Sequence, residues 1–378
     1  MGSSVLPAPE PLLSPKGWGM YFACIALVAG LAPILNLVLP NGHPMHMSDF
    51  AVSLLGKIMC YAICALAMDL IWGYCGILSL GHGLFFALGG YAMGMYLMRQ
   101  IGRDGNYKSL LPDFMVFLDW KELPWHWALS DSFGATLALV VLAPGLLAFV
   151  FGFFAFRSRI KGVYFSIITQ AMTFAFMLLF FRNETGFGGN NGFTDFKRIL
   201  DMPLATAHMR MVLFVLTGLT LLGFYLLARW LMRSKYGRVL QALRDAESRL
   251  MFCGYSPMPY KLSIWVLSAV MCGVAGALYV PQVGIINPSE MSPANSIEIA
   301  IWAAVGGRGT LVGPIVGAFL VNGAKSWLTV TAPEFWLYFL GGLFIVVTLY
   351  LPQGVVGWLR QMGSRWGQNA APGKGDGS

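Results

Sequence analysis

Charged side chains are scarce in this sequence. They make up 11% of the residues, while hydrophobic side chains make up 57%. Soluble proteins carry about 25% charged residues, which keep their surfaces in water. The shortage of charge therefore excludes an ordinary soluble enzyme or binding domain, and it indicates a protein that crosses a membrane several times.

Cysteine is also rare, and two sequence motifs are missing. The six cysteines form no CxxC pair and lie mostly in apolar stretches, so we expect buried thiols and no metal site. Neither GxxxxGKS nor GxxxxGKT occurs, which excludes ATP binding by a P-loop in this chain. The net charge of +8 comes mostly from short loops between apolar stretches, so nucleic acid is not expected as a partner.

Ser79 and His82, in the run GILSLGHG, raise the alternative of an intramembrane serine hydrolase. A nucleophile turn needs the pattern GxSxG, but two residues separate Gly76 from Ser79 instead of one. No second histidine lies at matching depth with an acidic residue to orient it. The hydrolase alternative therefore lacks part of its chemistry, and it predicts loss of all activity on Ser79→Ala.

Apolar stretches of about 20 residues, the length of a membrane-spanning helix, recur along the chain. Seven are uninterrupted, and the last is near the lower limit of length: 18–39, 50–72, 133–156, 162–181, 211–231, 262–283 and 335–351. Two more, 73–98 and 297–330, are apolar but rich in glycine. We predict an all-α polytopic transmembrane helical bundle of about eight to ten spans, with glycine-broken helices.

The loops predict how the chain is oriented. A basic turn with Arg157, Arg159 and Lys161, and the basic segment 235–261, mark the cytoplasmic side. The loops of balanced or acidic charge are placed outside: 99–131, 182–210 and 287–298.

These assignments divide the chain into three parts. We predict a cytoplasmic N-terminal tail over residues 1–17, a transmembrane domain over residues 18–352 and a cytoplasmic C-terminal tail over residues 353–378. Within the transmembrane domain, residues 235–259 are predicted to form a cytoplasmic helix.

The segment 235–261 has the pattern of an amphipathic helix. Val239, Leu243 and Leu250 recur at helical spacing, and the charged residues take the other face. Gly254 would end this helix, because glycine adopts the left-handed conformation found after helix ends. Such a helix suits docking of a partner protein; the alternative is a solvated loop between spans.

Two glycine-rich segments, 72–91 and 304–322, interrupt apolar stretches in opposite halves of the chain. Paired interruptions of this kind mark transport pathways, since freed backbone groups are tolerated in a membrane only beside protein or a water-filled cavity. The residues predicted to line a pathway are Ser79, Gly81, His82, Gly306 and Gly307. The alternative is close helix packing, as in the spacing Gly313-xxx-Gly317.

Polar residues near these segments support a pathway. Asp69, Glu298 and Arg308 lie in or beside apolar stretches, where a charge needs a cavity or a partner. We expect Glu298 to pair with Arg308 across a helix break. Asn190 and Asn191, in an outer glycine-rich loop, offer amide groups suited to a neutral polar solute, although they also fit a tight turn.

Along nearly its whole length the chain resembles the permease subunits of bacterial branched-chain amino acid ABC importers. The resemblance lies in the following runs: GYCGILSLGHGLFFALGGY, KGVYFSIITQA, YGRVLQALRDAE, GYSPMPYKLSIWVLSAVMCGVAGALY and VGGRGTLVGPIVGA. Two longer runs, FFRNETGFGGNNGFTDF and SIEIAIWAAVGGRGTLVGP, are similar to the second permease subunit of the urea-transport branch. Asp69 and Arg308 depart from the usual residues of the amino acid permeases, which favours urea.

The resemblance implies an integral protein of the bacterial inner (plasma) membrane, in contact with its lipids, that is a transport subunit and not an enzyme. It implies a homologous second permease, two ATPase subunits that carry ATP and magnesium, and a periplasmic solute-binding protein; this chain itself would hold no cofactor. The ATPases would dock on Arg244, Glu247, Arg249 and Gly254. The substrate stays open among urea, short amides and branched-chain amino acids. A passive urea channel or a secondary carrier is a further alternative that would not need the segment 235–261.

Overall fold

The computed structural model describes residues 12–40, 42–160, 162–350, 354–359 and 362. Most of these residues are helical, and the twelve α-helices are, in chain order: α1 Pro15–Ala26, α2 Asp49–Asp69, α3 His82–Ile101, α4 Asp113–Phe117, α5 Phe133–Arg157, α6 Val163–Phe180, α7 Ala207–Arg233, α8 Lys235–Phe252, α9 Pro257–Val283, α10 Pro293–Gly306, α11 Val312–Thr331 and α12 Trp336–Tyr350. Lys161 of the basic turn lies outside the described residues, as do residues 1–11 of the predicted N-terminal tail and residues 353, 360, 361 and 363–378 of the predicted C-terminal tail.

Among the described residues, six helices are long and apolar enough to cross a membrane: Pro15–Val38, Asp49–Tyr74, Phe133–Arg157, Val163–Phe180, Ala207–Arg233 and Pro257–Val283. They coincide with the first six uninterrupted stretches read from the sequence. In a bilayer every backbone amide needs an internal partner, and an α-helix provides one. The prediction of an all-α polytopic membrane bundle is confirmed.

Strands are minor among the described residues. Two antiparallel pairs of two-residue strands occur: β1 Phe193–Thr194 with β4 Ile285–Ile286, and β2 Arg198–Ile199 with β3 Met202–Pro203. The first pair joins the loop after α6 to the segment after α9, which fixes these two distant loops to each other at one end of the bundle.

Both glycine-rich segments break a helix, as predicted. After α2, the π-helical turn Leu70–Tyr74 gives way to a non-helical stretch over residues 75–81 before α3 begins. The imidazole of His82, the first residue of α3, packs against Trp265 in α9, with ring centroids 5.7 Å apart. The start of α3 therefore lies inside the bundle and not at its end.

The second break separates α10 from α11 at residues 307–311. With 14 residues, α10 is about 21 Å long, which is shorter than the roughly 30 Å hydrocarbon core of a membrane. The short 3-10 turn Pro288–Met291 precedes α10, and the Gly83 amide donates to the Ser296 hydroxyl (3.3 Å). The first turns of α3 and α10 are thus neighbours in the interior.

The opposite end of α10 lies with the basic loops. Arg157 and Arg233 end α5 and α7 there, and α8 follows α7 after a single residue, Ser234. We call this side the basic end of the bundle. It carries the whole of α8, while β1 and β4 lie at the opposite end.

Candidate functional site

A small cavity lies where the first turns of α3 and α10 meet α2 and α11; we call it the central cavity. Its volume is about 30 Å³, enough for a molecule little larger than water. Ten residues line it: Tyr61, Cys64, Gly83, Phe86, Glu290, Asn295, Glu298, Ile299, Trp302 and Lys325. The wall therefore mixes aromatic surface with groups that donate and accept hydrogen bonds.

The charged groups at the central cavity neutralise one another. The Lys325 ammonium donates to both carboxylate oxygens of Glu298, at 2.9 Å each. The Glu290 carboxylate accepts from the Tyr279 hydroxyl (3.1 Å) and from the Asn295 amide (3.4 Å).

A second lysine brings the number of positive groups near the cavity to that of the negative groups. The Lys57 ammonium lies over the rings of Tyr61 and Tyr279, 5.7 and 5.9 Å from their centroids, which is within the range of cation–π attraction. With Glu290 and Glu298 negative and Lys57 and Lys325 positive, the region has no net charge. A membrane-buried charge set of this kind is retained for a function or for fixing two helices in register.

Trp302 contributes a donor without a partner. The side chain is 3% exposed and packs against the Tyr61 ring, with centroids 4.9 Å apart and ring planes inclined by 32°. Its indole Nε1–H makes no hydrogen bond within the described part of the chain. An unsatisfied buried donor costs about 1–3 kcal/mol.

The stretch before α3 is held by α6 side chains. The Ser166 hydroxyl donates to the Leu78 carbonyl (2.8 Å), and the Leu80 amide donates to the Thr169 hydroxyl (3.1 Å). The hydroxyl of Ser79 accepts from the Gly81 amide (3.1 Å) and is fully buried. Backbone groups freed by the break are therefore satisfied within the protein, as a membrane interior requires.

His82 packs edge-on against the rings of Phe85 and Trp265. No hydrogen bond joins its imidazole to the Ser79 hydroxyl, whose described partner is the Gly81 amide. Nucleophile and base would need that contact in a serine hydrolase. Of the predicted segment, Gly83 lies on the wall of the central cavity, while Ser79 and His82 lie behind it.

The three predicted intramembrane charges do not form one cluster. Glu298 pairs with Lys325, so the expected pair of Glu298 with Arg308 is wrong. Glu298 lies about 12 Å of helix before the end of α10, and Arg308 follows that end, whereas the antiparallel α11 brings Lys325 beside Glu298. The Arg308 guanidinium instead lies over the Trp72 ring, 4.6 Å from its centroid.

Asp69 holds the second break in place. Its carboxylate accepts hydrogen bonds from the amides of Gly309 (2.6 Å) and Leu311 (3.1 Å). These donors belong to the turn between α10 and α11, and Asp69 is the last residue of α2 before its π-helical turn. A single carboxylate thus joins the two helix breaks at the basic end.

Gly306 and Gly307 lie at this turn and not on the wall of the central cavity. A β-carbon at Gly306 would overlap the carbonyl oxygen of Gly313, because α10 and α11 cross there with their backbones in contact. For Gly306, close packing is therefore the interpretation that the geometry supports.

Asn190 and Asn191 are exposed in a 3-10 turn next to β1. Through the pairing of β1 with β4, this loop lies against the segment that leads into α10. Their role at an outer mouth stays a prediction.

The segment Lys235–Phe252 is helical at the predicted position, but α8 is kinked at Ala246, whose backbone is not helical (φ −157°), and it ends at Phe252. Gly254 follows it with a left-handed backbone (φ +84°), a conformation that suits glycine. Arg244 donates from Nη1 to the Gly73 carbonyl (2.6 Å) and from Nε to Asp245 (2.9 Å). This side chain links α8 directly to the π-helical turn at the end of α2.

The two other predicted residues of α8 differ in their surroundings. Glu247 pairs with Lys261 at the start of α9 (2.7 Å), while Arg249 is exposed. Beside them lies an apolar surface that we call the α8 tip: Met251, Phe252 and Tyr255 are 46%, 91% and 45% exposed. Neighbouring exposed apolar side chains rimmed by charged residues are typical of a protein contact surface.

Sequence reasoning missed Lys57, Glu290, Lys325 and Trp302. Two of them carried a usable signal, because Lys57 and Lys325 are lysines inside apolar stretches, and such lysines need a partner. The position of Trp302 on the cavity wall depends on the packing of α10 and had no signal in the sequence.

Comparisons with known proteins agree with this architecture. The model of the family described as "Branched-chain amino acid transport system / permease component" matches residues 50–348. The LivM high-affinity branched-chain amino acid permease protein of Salmonella typhimurium is 25% identical over 343 residues, covering 85% of this chain and 73% of LivM. LivM of Escherichia coli is 24% identical with the same coverage.

A shorter relative matches almost completely. The BraD permease protein of Pseudomonas aeruginosa is 24% identical over 304 residues, which cover 79% of this chain and 91% of BraD. No solved structure matches. The relatives are permease proteins of transport systems, so the prediction of a transport subunit and not an enzyme is confirmed. With the family model matching residues 50–348, this chain belongs to the branched-chain amino acid transport system permease family.

Proposed function

We propose that this chain is the permease subunit of an ATP-dependent importer of the bacterial inner membrane, and that it passes urea or a short amide. The basic end is the cytoplasmic side, as the excess of arginine and lysine favours. The solute would arrive from a periplasmic binding protein at the opposite end.

The observation that carries the substrate proposal is the central cavity. Its carboxylates and ammonium groups already have partners within the chain, so a solute need not supply a charge. The unpaired Nε1–H of Trp302 suits a carbonyl oxygen, and the oxygens of Glu290 suit amide N–H groups. Urea and acetamide offer both groups on a small frame.

A branched-chain amino acid is the second candidate, because the relatives LivM and BraD are named for those substrates. A zwitterion would need a cation for its carboxylate and an anion for its ammonium. Glu298 and Lys325 could provide them only by giving up their mutual ion pair. The cavity would have to widen for either solute, and by far more for a leucine side chain than for urea, which has four heavy atoms.

The surfaces at the two ends of the molecule indicate which partner subunits it would bind. The α8 tip and the charged face of α8 would dock an ATPase, and Arg244 would pass its movement to α2. A homologous second permease and a second ATPase would complete the importer. A passive channel would have no use for an exposed aromatic tip on a cytoplasmic helix.

The test is uptake of radiolabelled urea in cells that lack this subunit, with and without the chain restored. Acetamide and leucine serve as competitors, and the binding protein is present or deleted. We expect uptake that needs both the chain and the binding protein, that acetamide reduces, and that excess leucine leaves unchanged. An ATPase subunit that binds ATP but does not hydrolyse it should abolish uptake.

The other outcomes separate the alternatives. Competition by leucine would assign the chain to amino acid import. Uptake that persists with the inactive ATPase would contradict an ABC importer and favour a channel or a carrier. A chain with Trp265→Phe, restored in place of the natural chain, controls for the loss of a tryptophan outside the cavity. Trp265 is buried away from the cavity and bonds to Ala148 (2.9 Å).

A further inference from the structure

Lys57 differs from the other charged residues near the central cavity in its hydrogen bonding. Its ammonium carries three N–H donors but makes no hydrogen bond within the described part of the chain. The nitrogen is not one of the buried unpaired polar atoms of the described residues either, so it faces open space. Hydrocarbon against an ammonium is strongly unfavourable, and this space therefore suits water or a polar solute.

The depth of Lys57 places it on the side from which the solute arrives. We call the end opposite to the basic end the outer end; α2 begins there at Asp49, whose carboxylate is bridged to Arg210 (3.3 Å). The step from Asp49 to Lys57 is about 12 Å of helix. A lysine this close to a membrane surface ordinarily extends its ammonium to the headgroups. The Lys57 ammonium instead lies over the rings of Tyr61 and Tyr279, between α2 and α9.

Two aromatic side chains connect Lys57 with the central cavity. Tyr61 follows it by one turn of α2, and the Tyr61 ring packs against Phe86 with centroids 6.0 Å apart. Both Tyr61 and Phe86 line the cavity. A single ring, that of Tyr61, thus separates the ammonium from the cavity wall. A solute bound at Lys57 therefore has beside it an aromatic face that continues into the cavity.

The accessible charges at this depth are positive, although the region as a whole is neutral. The Lys325 side chain is 35% exposed, whereas its partner Glu298 is 11% exposed. From Lys325 to the outer end of α11 is about 9 Å of helix, a depth similar to that of Lys57. The other carboxylate, Glu290, is held by the Tyr279 hydroxyl. An oxygen with a partial negative charge is attracted to such a mouth, and a cation is repelled.

We propose that Lys57 is the first contact of the solute on its way from the outer end to the central cavity, an inference that rests on the proposed function. Its ammonium donates to the carbonyl oxygen of urea or a short amide, and the Tyr61 ring packs against the planar frame. The solute then passes to Trp302, whose indole offers the next donor. Lys57 selects for a carbonyl, because guanidinium, which has the shape of urea but a positive charge, is repelled by the ammonium.

The experiment removes the ammonium and then restores it chemically. Lys57→Cys is made in a chain that also carries Cys24→Ser and Cys253→Ser, because Cys24 and Cys253 are the exposed natural thiols. Cells that contain the binding protein and the ATPases are treated from outside with an aminoethyl or a trimethylammonioethyl methanethiosulfonate. Both reagents attach a cation to the thiol at position 57, but only the aminoethyl group has N–H donors.

Two further variants serve as controls. Leu142→Cys is matched in depth, about 13 Å from the start of α5, and Leu142 is 61% exposed on an apolar span. Lys57→Met keeps the length of the side chain and removes the charge together with the donors. Immunoblots of the membranes measure the amount of each chain, to which uptake rates are normalised.

We expect Lys57→Cys and Lys57→Met to lower the maximal rate of urea uptake about tenfold, the worth of a hydrogen bond to a charged group. The aminoethyl reagent should restore most of the rate. The trimethylammonioethyl reagent should react without restoring it, and excess urea should slow both reactions. The thiol of the Leu142 variant should not react.

Equal restoration by the two reagents would overturn the proposal, since a cation that only packs on Tyr61 and Tyr279 needs no N–H group. So would a thiol at position 57 that neither reagent reaches, or an unchanged uptake rate in Lys57→Met. These results leave the proposed function standing when the natural chain takes up urea. If the natural chain takes up no urea, the proposed function fails and this inference fails with it.

Discussion

At the scale of single residues, substitution of Trp302 can separate an effect on urea binding from an effect on the stability of the protein. Trp302→Phe keeps one aromatic ring against Tyr61 and removes the second ring together with a donor that has no partner among the described residues. We expect the apparent KM for urea uptake to rise about two- to tenfold, the worth of one neutral hydrogen bond. Uptake at a series of urea concentrations measures this.

Trp265→Phe is the matched comparison. The indole of Trp265 donates to the Ala148 carbonyl, and its loss removes that hydrogen bond and leaves a space that the smaller phenyl ring does not fill. We expect a loss of about 1–3 kcal/mol in stability with an unchanged KM. An unchanged KM in the Trp302 variant as well would remove Trp302 from the solute site.

Residues differ in how far their surroundings can be predicted. Asp69 and Glu298 were identifiable because a carboxylate in an apolar stretch needs a partner. Their partners were not, since Lys325 lies 27 residues beyond Glu298 and meets it only after α10 and α11 fold back on each other. His82 was predicted to line a pathway, yet its ring neighbours are Phe85 and Trp265. Packing alone decides those neighbours.

At the scale of elements, the contact between α10 and α11 can be tested with glycine. In Gly306→Ala the new methyl group would overlap the Gly313 carbonyl, so the helices must separate, at a cost of about 1–3 kcal/mol. In Gly323→Ala, on α11, the methyl group meets nothing within 4 Å and should stabilise the helix by up to about 1 kcal/mol.

Thermal unfolding of the two purified variants measures this difference. We expect a lower midpoint for the Gly306 variant and an equal or higher one for the Gly323 variant. Equal midpoints would mean that α10 and α11 are not in backbone contact at Gly306.

The link between α8 and α2 gives a second prediction at this scale. Arg244→Ala removes the hydrogen bond to the Gly73 carbonyl but leaves the α8 tip in place. We expect the ATPases to remain bound, and the urea imported per ATP hydrolysed to fall about tenfold, since a charge-assisted hydrogen bond is worth about 1.5–3 kcal/mol.

Purified importer in lipid vesicles allows both rates to be measured together. Arg238→Ala is the control, because Arg238 is exposed on the same helix. A parallel fall in hydrolysis and import would show that Arg244 serves docking and not the transfer of movement.

Elements were the most predictable level of the structure. Long apolar stretches such as 133–156 and 211–231 define their own ends, because polar loops must leave the hydrocarbon. Both glycine-rich segments were recognisable as breaks. That α3 and α10 begin side by side was not predictable, since it depends on a hydrogen bond between Gly83 and Ser296, 213 residues apart.

At the scale of the whole molecule, the orientation can be tested with a natural thiol. Of the six cysteines, Cys24 and Cys253 are exposed, and Cys253 follows α8 at the basic end. We expect a membrane-impermeant maleimide to label Cys253 in inside-out vesicles and not in right-side-out ones. Cys253→Ser should abolish the labelling, and labelling from the periplasmic side would reverse the assigned orientation.

The shortness of α10 has a consequence for how the protein is made. A helix of 14 residues that carries Glu298 is too short to span the bilayer, and a carboxylate at mid-membrane disfavours insertion by about 3 kcal/mol. During synthesis we expect α10 to settle in the membrane only after Lys325 has emerged from the ribosome to neutralise that carboxylate. The two helices therefore enter the bilayer as one hairpin, late in translation.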